Sequence, residues 1–304
     1  MKIFKIFWHY ISKTPIIWVG ILSILVISSA LAPFITNFDP IRDADFSNVL
    51  LPPFYIEGGN TTHILGTDQI GRDIFSRMLY GGRVSLLVAG VAIVSGTIVG
   101  TILGMISGFK GGIWDEIIMR LVDMWIALPF IMVALVIAIV LGQSWGVMFL
   151  LLTLIAWVSF VRPIRGEVLS LREREYIQYA TSAGSSQLRI IVRHILPNIS
   201  STVLVIATMN AGGLVLAESI LSFLGVGIPA PTPTWGSLVS DGRGYLEDAW
   251  WISTMPGISI FLLVMSLNFC GDWLRDRWDP KPVSYTHLRA HETDSYLVCR
   301  LLLE

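Results

Sequence analysis

The stretch YIQYATSAGSSQLRIIVRHILPN, residues 176–198, is polar and interrupts a chain that is otherwise built of long apolar runs. Its pattern predicts two short helices that meet at Gly184, because a glycine at a helix C-terminus adopts the left-handed conformation at low cost. Ser185 or Ser186 can then cap the second helix, and Pro197 marks where that helix must yield or kink. Such a stretch is either an amphipathic loop on a membrane surface or a surface that another protein approaches.

The composition of the chain indicates a membrane protein. Hydrophobic residues make up 54% of its 304 residues and charged residues only 14%, with a mean hydropathy of +0.69. Soluble domains carry about 25% charged residues, so this balance is typical of a chain that lies in a bilayer. The net charge of −1 argues against nucleic-acid binding. Two cysteines, Cys270 and Cys299, are too few for a disulfide framework, and no CxxC pair indicates a metal or redox site.

Uncharged runs long enough to cross a bilayer predict an all-α, polytopic membrane protein with six transmembrane helices. The first two runs each hold 25 residues, which as helix span about 37 Å against a hydrocarbon core of roughly 30 Å. The 38 uncharged residues 124–161 exceed one crossing, and the turn signal Gly142–Gly146 divides them into two helices, the first starting near Ile117. Apart from the two helices of this long run, the predicted spans are residues 14–38, 84–108, 199–224 and 251–271.

The basic residues predict the side of the membrane on which each loop lies. With the N-terminus inside, the inner segments hold fourteen Lys and Arg residues and the outer segments hold five. Cytoplasmic loops carry the excess of basic residues, so both termini and the polar stretch are predicted in the cytoplasm. A cleaved signal peptide is the alternative, since Ala30-Leu31-Ala32 resembles a cleavage site. The apolar run is long for a signal sequence, however, and Pro33 would follow the cut.

The polar stretch resembles the cytoplasmic loop of ABC importer permeases. The pattern of that loop is Glu-Ala-Ala, three residues, Gly, nine residues, Ile, one residue and Leu-Pro. This chain departs from the pattern at Gln178, Tyr179 and His194. In such permeases the loop is a coupling helix that docks into a cleft of the ATPase subunit. The resemblance therefore implies an ATPase-coupling loop, and its positions in this chain are Gln178, Tyr179, Ala180, Gly184, Leu196 and Pro197.

Three further stretches narrow the resemblance to one branch of that family. They are HILGTDQIGRDIFSRMLYGGRVSL (63–86), ESILSFLGVGIPAPTPTWGSLVSDGR (218–243) and WWISTMPGISIFLLVMSLNFCGDWLRDRWDPK (250–281). They are similar to the C-type permease subunit of dipeptide, oligopeptide and nickel importers, and the resemblance runs from the N-terminus to Lys281. It implies the type I ABC importer permease fold in a bacterial or archaeal inner membrane.

The same resemblance implies a set of partners. A related B-type permease would form a heterodimer with this chain, and the two would share a translocation pathway for peptides or similar small solutes. Two ABC ATPase subunits would power transport, and an extracytoplasmic substrate-binding protein would deliver the solute. No cofactor is implied. The motifs leave the substrate open among dipeptides, longer peptides, nickel chelates and similar solutes.

The chain is predicted to divide into three parts. Residues 1–83 hold an N-terminal cytoplasmic segment, the first transmembrane helix and an extracytoplasmic loop. Residues 84–281 form a core permease domain with five transmembrane helices and a cytoplasmic coupling loop at about 165–198. Residues 282–304 look like translated adaptor or vector sequence, which indicates a non-native tail.

The stretch 66–86 is predicted to form a helix that lies flat at the outer interface before the chain turns inward. Thr67 or Asp68 can cap this helix, and Asp73 and Arg77 are spaced to pair at i,i+4. Nearby acidic residues lack the rest of a calcium loop, which disfavours a metal site. These acidic residues are Asp39, Asp43 and Asp45.

Two sets of residues within the spans are candidates for helix packing or for the solute pathway. Four glycines at intervals of four residues would let another backbone approach one face of the second span, which favours packing over a lining of the pathway. They are Gly96, Gly100, Gly104 and Gly108. Asn210 and Glu218 are the pathway candidates of the fifth span. Glu218 could equally reach headgroups or a backbone donor, and Asn210 is expected to hydrogen-bond to another helix.

The sequence holds no catalytic constellation. It lacks a GxxxxGK[ST] phosphate loop, a GxSxG nucleophile elbow and an HExxH zinc motif, so the chain is not predicted to bind ATP or to be an enzyme. His287 and His291 are spaced like two metal ligands, but they and Cys299 lie in the tail, beyond the resemblance. The alternative function is an ion-coupled secondary transporter or channel, which would place acids or histidines near the bilayer midplane. The span centres are almost free of such residues, which favours the importer.

Overall fold

The uncharged runs of the sequence fold as helices. The computed structural model describes residues 15–278, and the regular structure of that range is helical, with two isolated β-bridges and no strand. The range also contains a π-helical turn (Ile191–Ile195) and a 3₁₀ turn (Arg243–Tyr245). The α-helices of the described range are α1 (Ile16–Ala30), α2 (Ala32–Ile35), α3 (Ile74–Lys110), α4 (Gly112–Ala127), α5 (Phe130–Leu141), α6 (Trp145–Ala156), α7 (Val158–Arg172), α8 (Glu175–Ser182), α9 (Gln187–Ile190), α10 (Leu196–Phe223), α11 (Trp235–Gly242) and α12 (Trp251–Trp278).

Six apolar helical segments correspond to the six predicted spans. Four are long and apolar enough to cross a membrane: α3, α6 continued by α7 (Trp145–Arg172), the helix Gln187–Phe223 that ends in α10, and α12. The α4–α5 pair forms a fifth segment, bent by 91°. The sixth is α1, a shorter apolar helix of 15 residues. The prediction of an all-α, polytopic membrane protein is therefore confirmed.

The second span differs most from its prediction. It begins at Ile74 rather than at residue 84 and continues as one helix of 37 residues. A helix of that length extends about 55 Å, so α3 projects beyond a hydrocarbon core of roughly 30 Å. The predicted flat helix over residues 66–86 is therefore wrong, because the second part of that stretch is the beginning of α3.

The start of α3 is capped by Asp73, and not by either of the two residues proposed from the sequence. One carboxylate oxygen of Asp73 accepts a hydrogen bond from the Ser76 backbone N–H at 2.7 Å, and the other lies 3.0 Å from Nδ1 of His63. The predicted pair between Asp73 and Arg77 is also wrong. Both carboxylate oxygens of Asp73 are already engaged, and the Arg77 guanidinium instead contacts Asp68 at 2.6 Å.

The bend between α4 and α5 is caused by proline chemistry. Pro129 lacks a backbone N–H, and its ring forces the preceding residue out of the helical conformation. Leu128 accordingly adopts φ −94° and ψ 131° before α5 begins. After α5, Gly142 has φ +78°, and the Ser144 side chain caps α6 by accepting from the Val147 N–H at 3.2 Å. The predicted division of the long apolar run is therefore present.

The four regularly spaced glycines lie along the contact between α3 and the helix formed by α6 and α7. A Cβ atom on Gly104 would lie 2.9 Å from the Ile164 Cβ, and one on Gly108 would lie 2.8 Å from the Arg165 carbonyl oxygen. A Cβ on Gly96 would overlap Ala156, and one on Gly100 would overlap the Trp157 carbonyl oxygen. The two helices approach this closely because these positions lack side chains.

Candidate functional site

The polar loop, residues 175–195, lies at the end of the helix bundle that contains the C-terminus of α3. Its first helix, α8, ends at Ser182 and is followed by Gly184 with φ +77°. The Gly184 N–H donates to the Thr181 carbonyl at 3.0 Å and the Ser185 N–H donates to the Ala180 carbonyl at 3.1 Å. This pair of bonds is a Schellman motif, which closes a helix through a residue with positive φ. The turn predicted at Gly184 is therefore present.

The second helix of the polar loop runs on into the membrane segment. Ser186 caps α9, as predicted, by accepting from the Arg189 N–H at 3.4 Å. The helix yields just before Pro197, as expected, in the π-helical turn Ile191–Ile195, and α10 contains the proline in its first turn. A π-turn shifts the hydrogen-bonding pattern by one residue, which accommodates the missing proline N–H. The Asn198 side chain then donates to the His194 carbonyl at 2.6 Å.

Three isoleucines anchor the polar loop to the bundle. Ile177 from α8, Ile190 from α9 and Ile195 from the π-turn are each at most 1% exposed. They pack into one apolar cluster with residues from α3, α7 and α10, namely Met105, Phe160, Ile164, Val168, Leu171 and Ile199. Burial of an isoleucine side chain stabilises a fold by about 1.5–3 kcal/mol. The loop is therefore held in a defined position relative to the helix ends.

The opposite face of the polar loop leaves large apolar side chains exposed. Tyr179 is 71% exposed, Leu188 is 72% exposed and Val192 is 54% exposed. Apart from its two chain neighbours, no residue of the described range 15–278 has an atom within 4 Å of the position that a Cβ on Gly184 would take, so the turn is also open on its outer side. An exposed apolar surface rimmed by polar residues is typical of a protein–protein contact.

The six coupling positions suggested by the resemblance differ in their surroundings. Gln178 is exposed and donates to the Glu173 carbonyl at 3.1 Å. Ala180 is half-buried and packs against the anchoring cluster, so it faces the bundle. Leu196 and Pro197 are exposed in the first turn of α10. Together with the exposed Tyr179 and Gly184, the structure therefore presents five of the six positions to the outside of the chain.

The two pathway candidates lie in α10. Glu218 is fully buried, and its carboxyl group accepts from the Ser222 hydroxyl at 2.8 Å and from the Ser219 hydroxyl at 3.4 Å. Asn210 is half-buried, and its side-chain amide donates to the Ile206 carbonyl of its own helix at 2.8 Å. The expected bond from Asn210 to another helix is therefore replaced by a bond within α10. A side-chain amide commonly satisfies its donors on the preceding turn of its helix.

The cap segment, residues 36–73, covers the other end of the bundle. Its Asp68 is fully buried and lies 2.7 Å from the Arg72 guanidinium and 2.6 Å from that of Arg77. Arg77 also lies 3.1 Å from Asp241, which belongs to α11. A buried charge is tolerated when it is paired and hydrogen-bonded. This network therefore ties the cap segment, α3 and α11 together.

Local sequence patterns do not indicate this network as a unit. The signal that could have revealed it is a dense group of charges in a chain with few charged residues. The group lies within one of the motifs quoted above, and its members are His63, Asp68, Arg72, Asp73 and Arg77.

The acidic residues near the start of the cap segment are engaged by their own loop. The Asp39 carboxylate accepts from the backbone N–H groups of Ile41 and Arg42, which lowers the pKa of Asp39. The Asp45 carboxylate accepts from the Asn48 side chain, which lowers its pKa. Among residues 15–278 no group of three or more His, Cys, Asp or Glu side chains is arranged to hold a metal ion.

Comparison with known proteins identifies the family. Residues 100–283 match the family described as binding-protein-dependent transport system inner membrane component. The dipeptide transport system permease protein DppC of Haemophilus influenzae is 38% identical over 277 residues, which are 90% of this chain and 94% of that protein. DppC of Escherichia coli is 40% identical over 280 residues, covering 90% of this chain and 92% of the relative.

A third relative and a solved structure agree with this result. The di/tripeptide transport system permease protein DppC of Pseudomonas aeruginosa is 35% identical over 280 residues, covering 91% of this chain and 92% of that protein. The inward-facing MetNI methionine ABC transporter matches 67% of this chain and 97% of its own chain, with a TM-score of 0.55 and 17% identity, which shows a shared fold. The chain therefore belongs to the binding-protein-dependent inner membrane components, the multi-pass permease subunits of ABC importers.

Proposed function

We propose that this permease is half of a heterodimer that imports peptides or similar small solutes, and that its polar loop is the surface on which an ATPase subunit docks. The observation that carries the proposal is the construction of that loop. Three buried isoleucines fix it to the helix ends, while Tyr179, Leu188 and Val192 stay exposed on its outer face. A loop that is held firmly to the bundle and exposes an apolar contact surface can transmit force from another protein.

The assembly that follows contains this chain, a related B-type permease, two ABC ATPase subunits and an extracytoplasmic binding protein. The peptide assignment rests on the names of the relatives, which are dipeptide and di/tripeptide permeases over nearly their full length. Such a chain leaves ATP hydrolysis to its partners. The binding protein would present the solute to the end of the bundle that carries the cap segment.

Orientation follows from the charges and from the two ends of α3. The cap segment lies at the N-terminal end of that helix and the polar loop at its C-terminal end, so the two lie on opposite sides of a membrane that α3 spans. The excess of basic residues in the inner segments favours a cytoplasmic polar loop and two cytoplasmic termini.

The domain division proposed for this chain has three parts. Residues 1–83 supply the first span and the extracytoplasmic cap, and residues 84–281 supply the core permease with the coupling loop at about 165–198. Residue 83 lies within α3, so the first part passes into the core through a continuous helix. The proposed non-native tail, residues 282–304 with His287, His291 and Cys299, lies outside the described residues.

A substitution on the exposed face tests the docking proposal. Leu188→Asp places a charge on the apolar surface, and an acidic residue in the first turn of a helix is tolerated by the helix dipole. We expect membrane levels near wild type and loss of ATPase co-purification. Phe46→Asp is the matched control, because Phe46 is 77% exposed in the cap segment, at the other end of the bundle. Normal ATPase capture by Leu188→Asp would overturn the docking surface.

A further inference from the structure

Asp115 stands at a junction of three helices beside the polar loop. It lies in the first turn of α4, and its carboxylate accepts two hydrogen bonds from the Arg165 guanidinium of α7, at 2.5 and 2.6 Å. The Ser107 hydroxyl of α3 donates to the same carboxylate at 2.5 Å. Two parallel bonds between a guanidinium and a carboxylate fix both the distance and the relative orientation of the groups. The junction therefore fixes α4 to α3 and α7 at their shared end.

The backbone around this junction is shaped to bring the three helices together. Gly111 and Gly112 make the turn from α3 to α4 with φ +66° and +55°. A Cβ on Gly108 would lie 2.8 Å from the Arg165 carbonyl, so α3 and α7 are already in close contact there. Arg172, at the end of α7, donates to the Phe109 carbonyl at 3.1 Å and joins the same two helices about two turns further along α7.

The junction connects the polar loop to the broken span. Helix α7 leads into α8 after only two residues, so a displacement of the polar loop acts directly on α7. Helix α4 leads to the 91° bend, and its continuation α5 lines an apolar cavity of about 180 Å³ against α10. A rigid link between α7 and α4 would carry a movement of the loop to the part of the bundle that borders this cavity.

We infer that Asp115 and Arg165 are positioning residues that transmit movement of the polar loop to the broken span α4–α5 during transport. This inference rests on the proposed docking of an ATPase at that loop. Helix α4 is also held by apolar packing of Ile118 and Val122 against Trp157 and Val161. Loss of the ion pair alone therefore leaves the middle of α4 packed against α7 but frees its first turn, where Asp115 lies.

A second ion pair between the same helices supplies a matched control. Arg162 of α7 pairs with Asp123 of α4, but the two side chains are 53% and 62% exposed. The side chains of Arg165 and Asp115 are 31% and 21% exposed. Exposed ion pairs contribute little because water screens the charges and the side chains lose conformational entropy. The less exposed pair, Asp115 and Arg165, is therefore expected to matter for coupling. The more exposed pair, Asp123 and Arg162, is not.

The test uses the importer assembled from both permeases, the ATPase subunits and the binding protein in proteoliposomes. Asp115→Asn and Arg165→Met should assemble and hydrolyse ATP, while uptake of labelled dialanine per ATP hydrolysed falls roughly tenfold, a typical coupling effect. The double variant should be no worse than either single variant, because both remove the same link. Asp123→Asn should behave as wild type. Stimulation of ATP hydrolysis by the binding protein, which needs no identified solute, should fall in the same order.

The outcomes separate this inference from the docking proposal. If Asp115→Asn keeps full uptake and full stimulation, the link is wrong even when Leu188→Asp abolishes ATPase capture. Equal losses in Asp115→Asn and Asp123→Asn, or additive losses in the double variant, would also overturn it. A parallel loss of assembly, hydrolysis and uptake would assign the pair to folding and not to transmission. Normal ATPase capture by Leu188→Asp would overturn the docking proposal alone. An uncoupled Asp115→Asn would still support the link between α7 and α4.

Discussion

The carboxyl group of Glu218 lies among hydroxyl groups inside the bundle. Ser219 and Ser222 donate to it from its own helix, and the Ser85 side chain of α3 lies close to it. The Ser85 hydroxyl also accepts from the Trp235 backbone N–H at 3.3 Å, at the start of α11. These contacts join α3, α10 and α11, and with 0% exposure Glu218 faces no open space in this conformation. They favour a role in helix positioning over a role in the solute pathway.

Two substitutions at Glu218 separate these roles. Hydroxyl groups can donate or accept, so Glu218→Gln should keep the contacts and show membrane levels and uptake near wild type. Glu218→Val removes the acceptor of the buried Ser222 hydroxyl and should lower stability by about 1–3 kcal/mol. Thermal unfolding of the detergent-solubilised protein measures the second effect. Loss of uptake in Glu218→Gln, at a normal membrane level, would instead support a role of Glu218 in the solute pathway.

The close approach of α3 to α7 depends on absent side chains. A Cβ on Gly100 would lie 2.7 Å from the Phe160 Cβ and would overlap the Trp157 carbonyl oxygen. Backbone cannot move aside as the end of a flexible side chain can, so the helices must separate. Gly90 offers a comparison within α3, because among residues 15–278 no atom beyond the backbone of its own helix turns lies within 4 Å of the position that an added Cβ would take.

The two glycines should respond to alanine with opposite signs. Gly100→Ala should destabilise the protein by about 1–3 kcal/mol through overpacking. Gly90→Ala should be neutral or stabilise by up to about 1 kcal/mol, since alanine has the higher helix propensity. Thermal unfolding of both variants in the same detergent compares them directly. Equal effects at the two positions would show that the packing contact does not determine the response.

The elements also show what the sequence could and could not predict. Long uncharged runs predicted the spans because charged side chains are costly in a hydrocarbon core. The same reasoning placed the start of α3 too late, because the uncharged run begins only after Arg83, and Arg77 and Arg83 both counted as charges outside the membrane. In the structure Arg77 is buried and paired with Asp68 and Asp241, which are 9 and 164 residues away in the chain. Local patterns carry no information about such a tertiary pair.

Some features of the candidate site could likewise be predicted from the sequence, and others could not. The turn at Gly184 and the cap at Ser186 follow from local backbone chemistry, so the sequence predicted both. The inward orientation of Ala180 depends on a cluster assembled from four parts of the chain, and no local pattern predicts it. The junction at Asp115 likewise needs Arg165, which is 50 residues away.

The structure and the sequence give different parts of the answer to which side of the membrane each end of α3 faces. The cap segment and the polar loop are fixed to opposite ends of α3, whose 37 residues are more than enough to cross a bilayer. The count of fourteen basic residues against five then predicts a cytoplasmic polar loop. Neither observation alone would determine the orientation.

Cysteine labelling of intact cells tests this topology. Asn60 of the cap segment and Ser186 of the polar loop are both exposed, so the side of the membrane decides whether a thiol there reacts. Cys270 and Cys299 are first replaced by serine, which removes the native thiols. A membrane-impermeant maleimide should then modify Asn60→Cys in intact cells and Ser186→Cys only after the cells are opened. The reverse pattern would show the opposite orientation. The polar loop would then lie outside the cell, where no ATP-hydrolysing partner could reach it.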